Sequence, residues 1–272
     1  MSTIFNISNK IKLNSITPLL LDLYTGAAAA YSLRSLSNNT TNVVRVREDS
    51  GNTEQDFTAE EVTDGTLESF VGAGNNGYVV TWYDQAGSNN ATQAAASAQP
   101  LIVDSGVLVT ENGKAAVEYD GAGDQLALAS SINLGNRDFS VNLVYRSLGT
   151  SSEDYVLYGD SGSSRMRLYN YLVRLYISNS TYDFASANNF GSQYLYTLEA
   201  DTAKGLQVYR DGTATGSEMT IGNGESFVQE FIGYGSIRPI NGRLQEVIIY
   251  NSDQSSNRVS IEENINNHYN IY

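Results

Sequence analysis

The chain has 272 residues, 41% of them hydrophobic and only 17% charged, with 24 glycines and 19 tyrosines. That is the composition of a turn-rich β-sandwich rather than of a disordered or coiled-coil chain. Its formal net charge is −14 and Lys10, Lys12, Lys114 and Lys204 are the only lysines, so neither nucleic acid nor an anionic membrane is an expected partner. With no cysteine and with His268 as the single histidine, disulfides, thiol catalysis, zinc–thiolate sites and multi-histidine metal sites are excluded.

In chain order, the first segment is unlike the rest. Ile4, Phe5, Ile7, Ile11, Leu13 and Ile16 alternate with Asn, Ser and Lys. Such a segment has no core of its own; it either pads the main domain or docks on another subunit. Leu19–Leu23 is short and is interrupted by Asp22, so neither a signal peptide nor a membrane span is expected. The alanines of Ala27–Leu36 predict a short helix. Val43–Arg47 reads as a strand that places Arg45 and Arg47 on one face, where ion pairs within the domain are expected. Asp64–Val71 reads as a second short helix, capped by Asp64 and with Leu67, Phe70 and Val71 at helical spacing.

Tyr78–Tyr83 has the aromatic and β-branched character of a strand. It stops at Asp84-Gln85-Ala86-Gly87, where Asp and Gly favour a sharp turn. Trp82, Tyr83, Asp84, Gln85 and Asn89 form the candidate ligand-binding set, with hydroxyl-binding polar groups beside a stacking face. The competing reading is structural: Asp84 and Gln85 bond backbone while Trp82 sits in the core. Glu118, Asp120 and Asp124 surround Gly121–Gly123, as oxygens for Ca²⁺ or as a solvated turn. No EF-hand spacing is present, and neither metal nor cofactor is expected.

From Pro100 onward short strand-like runs recur: Val107–Thr110, Ala115–Tyr119, Gln125–Leu128, Phe139–Tyr145, Tyr155–Tyr158, Met166–Tyr169, Leu172–Ile177 and Tyr194–Glu199. Leu206–Arg210 leads into Asp211-Gly212, a two-residue hairpin turn, and Phe231–Tyr234 and Arg243–Tyr250 complete the series. This spacing predicts an antiparallel sandwich. Tyr169, Tyr171, Tyr176, Tyr182, Tyr194 and Tyr196 supply amphipathic surface for an interface or simply for the sandwich faces. Ser255–Tyr269 reads as a helix, capped by Ser255 or Ser256, whose apolar stripe of Val259, Ile261, Ile265 and Tyr269 packs on the sandwich.

Four blocks carry a resemblance: Ala30–Arg34 through Val44–Arg47 and Asp49–Asn52; Trp82–Gly87 to Gln93; Gly113–Tyr119; and Gly242–Glu246 through Glu262–Tyr269. Together they resemble the catalytic domain of family 54 α-L-arabinofuranosidases and bacteriophage proteins built on the same concanavalin A-like jelly roll. Val208–Gly212 and Gly242–Tyr250 are also similar to laminin-G-like sandwiches. The resemblance implies an all-β, antiparallel jelly roll over residues 26–272, with short helices and a C-terminal helix, preceded by an attachment segment over residues 1–25.

Retaining glycoside hydrolysis needs two carboxyl groups about 5–5.5 Å apart. In the family resembled, the nucleophile is a Glu following a Met in a mid-domain strand; the matching stretch Ser164–Tyr169 has Arg167 after Met166. The family's acid is an Asp in a Gly-rich loop before the last strand; the matching loop Gly233–Pro239 has no carboxylate. The resemblance therefore implies a non-enzymatic bacteriophage virion protein, a head decoration or a tail or fibre component, with structural or adhesive use and weak glycan binding. The alternatives are a glycoside hydrolase with relocated carboxylates and a bacterial surface carbohydrate-binding module. Expected partners are other virion proteins through the N-terminal segment, cell-surface glycans and further copies in a homo-oligomer. The expected location is the virion, after synthesis in the host cytoplasm.

Overall fold

The computed structural model describes residues 18–135, 138–149, 154–159, 162–169, 172–186, 191–201, 205–234 and 239–272. Most of the expected attachment segment lies outside the described residues, as do Tyr171 and positions 235–238.

The described chain is almost entirely antiparallel β-structure. Strands β1 (Ala27–Ser32), β2 (Val44–Glu48), β3 (Glu54–Phe57), β4 (Gly77–Trp82), β5 (Ala91–Thr92) and β6 (Leu101–Asp104) come first. They are followed by β7 (Val107–Leu108), β8 (Thr110–Glu111), β9 (Lys114–Ala115), β10 (Val117–Asp120), β11 (Leu126–Asn133) and β12 (Phe139–Ser147). The remainder are β13 (Asp154–Gly159), β14 (Ser164–Leu168), β15 (Leu172–Ile177), β16 (Ser180–Ala185), β17 (Gln193–Asp201), β18 (Gly205–Arg210), β19 (Thr213–Met219), β20 (Val228–Ile232) and β21 (Asn241–Tyr250). Helices are few and short: α1 (Leu20–Leu23), α2 (Ala59–Thr63), α3 (Thr66–Val71) and, closing the chain, α4 (Arg258–Tyr269).

Strand pairing defines two layers. In one, β19, β18, β17, β12 and β21 pair in that order, and the far edge of β21 is shared by β1 and β10. In the other, the order is β3, β2, β4, β5, β11, β20, β13, β14, β15, β16. Strand β6 pairs with both β4 and β10 and joins the layers. The main core lies between them. Inward-facing side chains such as Tyr31, Val46, Val79, Trp82, Leu143, Met166, Leu175, Val208 and Ile249 are fully buried in a single cluster. The architecture is the antiparallel jelly-roll sandwich that the strand spacing predicted.

A second cluster covers the outer face of the first layer. Ala30, Val144, Ile248 and Tyr250 point outward from β1, β12 and β21 and meet Ile261, Ile265 and Tyr269 of α4 and Leu20 and Leu21 of α1. This explains why β21 is nearly continuously buried: helices cover one face and the opposite layer covers the other. The C-terminal helix packs where its stripe predicted. It begins at Arg258, later than expected, with Asn257 rather than a serine at its N-cap and no side-chain cap bond.

Two expectations are corrected. Ala27–Leu36 is not helical; its first six residues are β1. Helix propensity is worth only tenths of a kcal/mol per residue, whereas pairing with β21 buries Ala29 and Ala30 completely. The helix expected from Asp64 starts at Thr66 with Gly65 at its N-cap, and Asp64 instead accepts a hydrogen bond from the Thr66 amide at 2.9 Å. The hairpin turn at Asp211-Gly212 forms as expected between β18 and β19, with both residues at positive φ, 51° and 74°.

A buried ion pair ties helix to sheet. Arg34 Nε and Nη2 donate to Glu246 Oε2 and Oε1 at 2.8 and 2.9 Å, and Arg34 Nη1 donates to Asn264 of α4 at 3.0 Å. Ser32 Oγ and Tyr269 Oη also donate to Glu246 Oε2, at 2.8 and 3.1 Å. Burial alone would raise the Glu246 carboxyl, but the Arg34 charge together with the hydrogen bonds from Arg34 and Ser32 outweighs it and holds the group below the usual range. A depressed carboxyl contributes stability above its unfolded pKa, and that stability is lost as pH falls through the folded value. Glu246→Gln strands a buried guanidinium, and a broken buried pair costs about 3–5 kcal/mol. Urea melts at neutral pH should show that loss, and the difference from wild type should shrink in acid.

Candidate functional site

The Trp82–Asn90 block is held by its own hydrogen bonds. Asp84 is 7% exposed. Its Oδ1 accepts from the amides of Ala30 and Ala86 at 2.8 and 2.9 Å, and its Oδ2 accepts from the Asn89 amide at 3.0 Å. Gln85 Oε1 accepts from the Leu36 amide and Thr40 Oγ1, at 2.7 and 3.0 Å. Its Nε2 donates to the carbonyls of Ser32 and Arg34, both at 2.9 Å. The Asn89 side chain pairs with the backbone of Ser130 in both directions, at 2.8 and 3.0 Å. Tyr83 Oη donates to Asp56 at 2.8 Å, in the same cluster as the bidentate Arg45–Asp56 pair. Trp82 is 0% exposed and lies against Tyr31 with ring centroids 6.1 Å apart, so it offers no face to a ligand. Tyr83, Gln85 and Asn90 do line an open hollow of about 480 Å³ with Asn39 and Thr40.

A larger cleft, of about 570 Å³, lies on the outer side of β2, β4, β6 and β10. The row that crosses these strands runs Arg47, Tyr78, Leu101, Glu118. Alternation along each strand turns these side chains outward while Val46, Val79, Ile102 and Val117 enter the core. Arg47 donates to Gln99 Oε1 and Asn52 Oδ1 at 2.8 and 2.7 Å, and its guanidinium lies 5.0 Å from the centre of the Tyr78 ring. Glu118 accepts from Arg243 at 2.8 Å.

At one end the turn from β10 to β11 folds tightly against β21. Gly121 has φ +76°, and a Cβ there would stand 2.9 Å from Asn241 Cβ. Asp120 Oδ1 caps this turn, accepting from the amides of Ala122 and Gly123 at 2.7 and 3.2 Å. Asp124 Oδ2 accepts from the Asp120 amide at 2.9 Å. Asp124 is 5% exposed. Burial raises its carboxyl to about 7; the Asp120 amide opposes the rise, and the neighbouring Asp120 carboxylate adds to it. Beneath it Tyr119 is fully buried and its hydroxyl has no hydrogen-bond partner.

The three acidic residues around Gly121–Gly123 thus meet in the cleft, but each is engaged separately. Among the described residues no group of three carboxylate or histidine side chains could hold a metal ion. The lone histidine, His268, lies beside the Arg34–Glu246 pair, and burial lowers its pKa to about 4. Reasoning from sequence placed Asp124 in an acidic turn but missed its burial. The Ala96–Gln99 segment lines the same cleft, and Gln125, next to Asp124, donates its amide to the Ala98 carbonyl.

Arg167, at the position matched to the family's nucleophile, lies on β14 and is 7% exposed. Its Nη1 donates to Tyr176 Oη at 2.9 Å. A guanidinium has no lone pair with which to form a glycosyl ester. From the Gly233–Pro239 loop, Tyr234 stacks on Tyr158 with centroids 3.8 Å apart.

No protein-family model matches the chain, and no curated protein matches its sequence. Solved structures do match its fold. An arabinofuranosidase complexed with arabinofuranosyl-α-1,2-xylobiose is 16% identical, with a TM-score of 0.65 over 88% of this chain and 62% of its own. A GH54 α-L-arabinofuranosidase soaked with a cyclic sulfate inhibitor is 15% identical, with a TM-score of 0.64 over the same shares. A Trypanosoma rangeli sialidase is similar more loosely, at 14% identity and a TM-score of 0.47. The chain spans about 62% of the length of the arabinofuranosidase structures that it matches. The expectation of a non-enzymatic protein is corrected by this finding, because the structures that share its fold at a TM-score near 0.65 are glycoside hydrolases. The loss of carboxylates at two matched positions is no ground for excluding chemistry when another carboxyl stands in a cleft. The chain has the antiparallel jelly-roll fold seen in GH54 arabinofuranosidases.

Proposed function

We propose that this jelly roll acts on carbohydrate in the cleft formed by β2, β4, β6 and β10, with Asp124 as the proton donor to a glycosidic oxygen. The observation that carries this reading is a carboxyl raised to about 7 in an open cleft. A general acid is most effective when its pKa lies near the working pH, and a glycosidase acid is characteristically a carboxyl raised by its surroundings. Glu118, paired with Arg243 on the same wall, is the carboxylate assigned to stabilise positive charge on the sugar or to activate water. Tyr78 supplies a ring face, and Asn52, Gln99 and Arg47 supply directed polar groups, the combination a sugar site uses. The arabinofuranosidase structures of similar fold support carbohydrate as the substrate class.

The proposed setting is the surface of a bacteriophage particle, with the part of the N-terminal segment ahead of α1 docking on neighbouring virion proteins and several copies assembled together. The resemblance of the four sequence blocks to phage jelly rolls supports it. Peptide mass spectrometry of gradient-purified particles tests the setting: the chain should co-purify with capsid or tail proteins, and its absence would contradict it.

The chemistry is tested by incubating the purified chain with aryl glycosides, arabinoxylan and bacterial surface polysaccharides while measuring released reducing ends. Turnover should fall as pH rises through about 7, because the donor must be protonated. Asp124→Asn should reduce kcat by about 10²–10⁴-fold. An Asp124→Asn protein as active as wild type would sink the assignment, as would no turnover on any substrate.

Stability gives a second readout. A carboxyl raised in the fold contributes stability that is full below its unfolded pKa, near 3.8, and that is lost as pH rises through the folded value. Asp124→Asn should therefore melt like wild type at pH 4 and be the more stable of the two at pH 8, by up to roughly 4 kcal/mol.

A further inference from the structure

The outward face of β13 to β16 brings three arginines together on an acidic chain. Arg165, Arg167 and Arg174 lie on the hairpin of β14 and β15, and alternation sends Met166, Leu168, Val173 and Leu175 into the core behind them. Arg167 and Arg174 are direct cross-strand partners, as are Arg165 and Tyr176. Like charges facing each other across a strand pair destabilise a sheet. Asp183, on β16, makes a bidentate pair with Arg174 at 2.5 and 2.6 Å.

Arg165 has no carboxylate within ion-pair distance among the described residues. Its Nε is shielded from solvent and has no hydrogen-bond partner. Its guanidinium is instead held flat, 3.6 Å from the centre of the Tyr176 ring and 5.7 Å from that of Tyr155. Arg167 lies 4.8 Å from the Tyr155 ring centre and 4.6 Å from that of Tyr169. Rings on this scale orient a guanidinium and lower the entropy it loses on meeting an oxyanion.

We infer that this face binds the anionic group of an acidic glycan, the carboxylate of a uronic or similar sugar acid, with Arg165 as the principal contact and the partly exposed Tyr169 and Tyr176 beside the sugar ring. Guanidinium and carboxylate match as two parallel charge-assisted hydrogen bonds, and an aromatic face beside them suits a pyranose. The state of Tyr176 agrees with a site of high positive potential: burial would raise its phenol, but Arg174, Arg165 and Arg167 outweigh burial and bring it down to about 8. The sugar part of this inference rests on the glycan reading above; the anion part rests on the face itself. This face is separate from the Asp120–Asp124 cleft, which none of these arginines lines.

The test is calorimetric titration of the full chain with an oligoglucuronide, with the matched neutral oligoglucoside, and with sodium acetate and sodium sulfate as bare anions. The acidic oligosaccharide should bind at least tenfold more tightly than the neutral one, with an affinity that falls as salt rises. Arg165→Ala, at a half-buried surface position, should lower that affinity tenfold or more and leave thermal melting nearly unchanged. Binding should also shift the Tyr176 phenolate absorbance titration to higher pH, which Tyr176→Phe identifies by abolishing the signal near pH 8. Equal binding of acidic and neutral sugars would overturn the inference, as would an Arg165→Ala protein that binds like wild type. Bare anions binding as tightly as the oligoglucuronide would overturn the glycan part and leave a simple anion site. Turnover of glycosides together with equal binding of acidic and neutral oligosaccharides would retain the cleft reading and reject this one; selective acidic binding with no turnover would do the reverse.

Discussion

Strand β1 is held along both of its edges, and the two layers of the sandwich are fixed to each other there. One edge pairs conventionally with β21. The other has no full-length strand beside it, yet its backbone groups are satisfied. Asp84 and Gln85 reach across from the end of β4, accepting from the amides of Ala30 and Leu36 and donating to the carbonyls of Ser32 and Arg34. The Gln85 amide adds a bond to the Ala30 carbonyl at 2.8 Å. Two side chains thus stand in for a missing strand, and buried backbone groups that would otherwise be orphaned find partners. Trp82 fills the core directly behind this clamp. Residues just beyond β1 carry the constraint outward, since Arg34 grips Glu246 and, through Asn264, the closing helix.

With the scaffold fixed in this way, the outer surfaces are free to carry chemistry. The Asp120–Asp124 cleft spans β2 and β4 of the second layer and, across β6, β10 of the first, whereas the Arg–Tyr face lies on β13 to β16 of the second layer. The first has a carboxyl raised by burial; the second has guanidiniums held over phenol rings. Each combines directed polar groups with aromatic surface; the cleft lies away from the positions at which the family resembled carries its acid and nucleophile, whereas the Arg–Tyr face includes Arg167, at the nucleophile's matched position. A jelly roll tolerates such relocation because outward side chains on its strands make no demand on the core.

The sandwich was legible because its signals are local. Period-two alternation, Asp211-Gly212 between two strands and the stripe of Ile261, Ile265 and Tyr269 each specify a short element unaided. Ala27–Leu36 misled because alanine reports helix propensity but not a buried site too tight for larger side chains. The strands Glu54–Phe57 and Ser180–Ala185 carry polar outward residues that mask their alternation. The capping box of α2 was in principle readable, as Thr58 followed at the third position by Glu61. The candidate sites were harder to find. Asp124 owes its raised pKa to its burial in the fold, which no local pattern announces, and Arg165, Arg167 and Arg174 become one patch only when β14 and β15 pair in register. The Trp82–Asn89 block stood out in the sequence as a possible ligand site; in the structure Asp84, Gln85 and Asn89 bond backbone and Trp82 lies in the core.

The clamp positions the rest of the fold, and a urea melt of Asp84→Ala measures what it contributes. The buried amide of Ala30 and the partly buried amides of Ala86 and Asn89 lose their acceptor, and a buried unsatisfied donor costs about 1–3 kcal/mol. The unfolding free energy should fall by at least that amount. A variant with the same midpoint and slope as wild type would contradict it, and would return this block to the role of a ligand site.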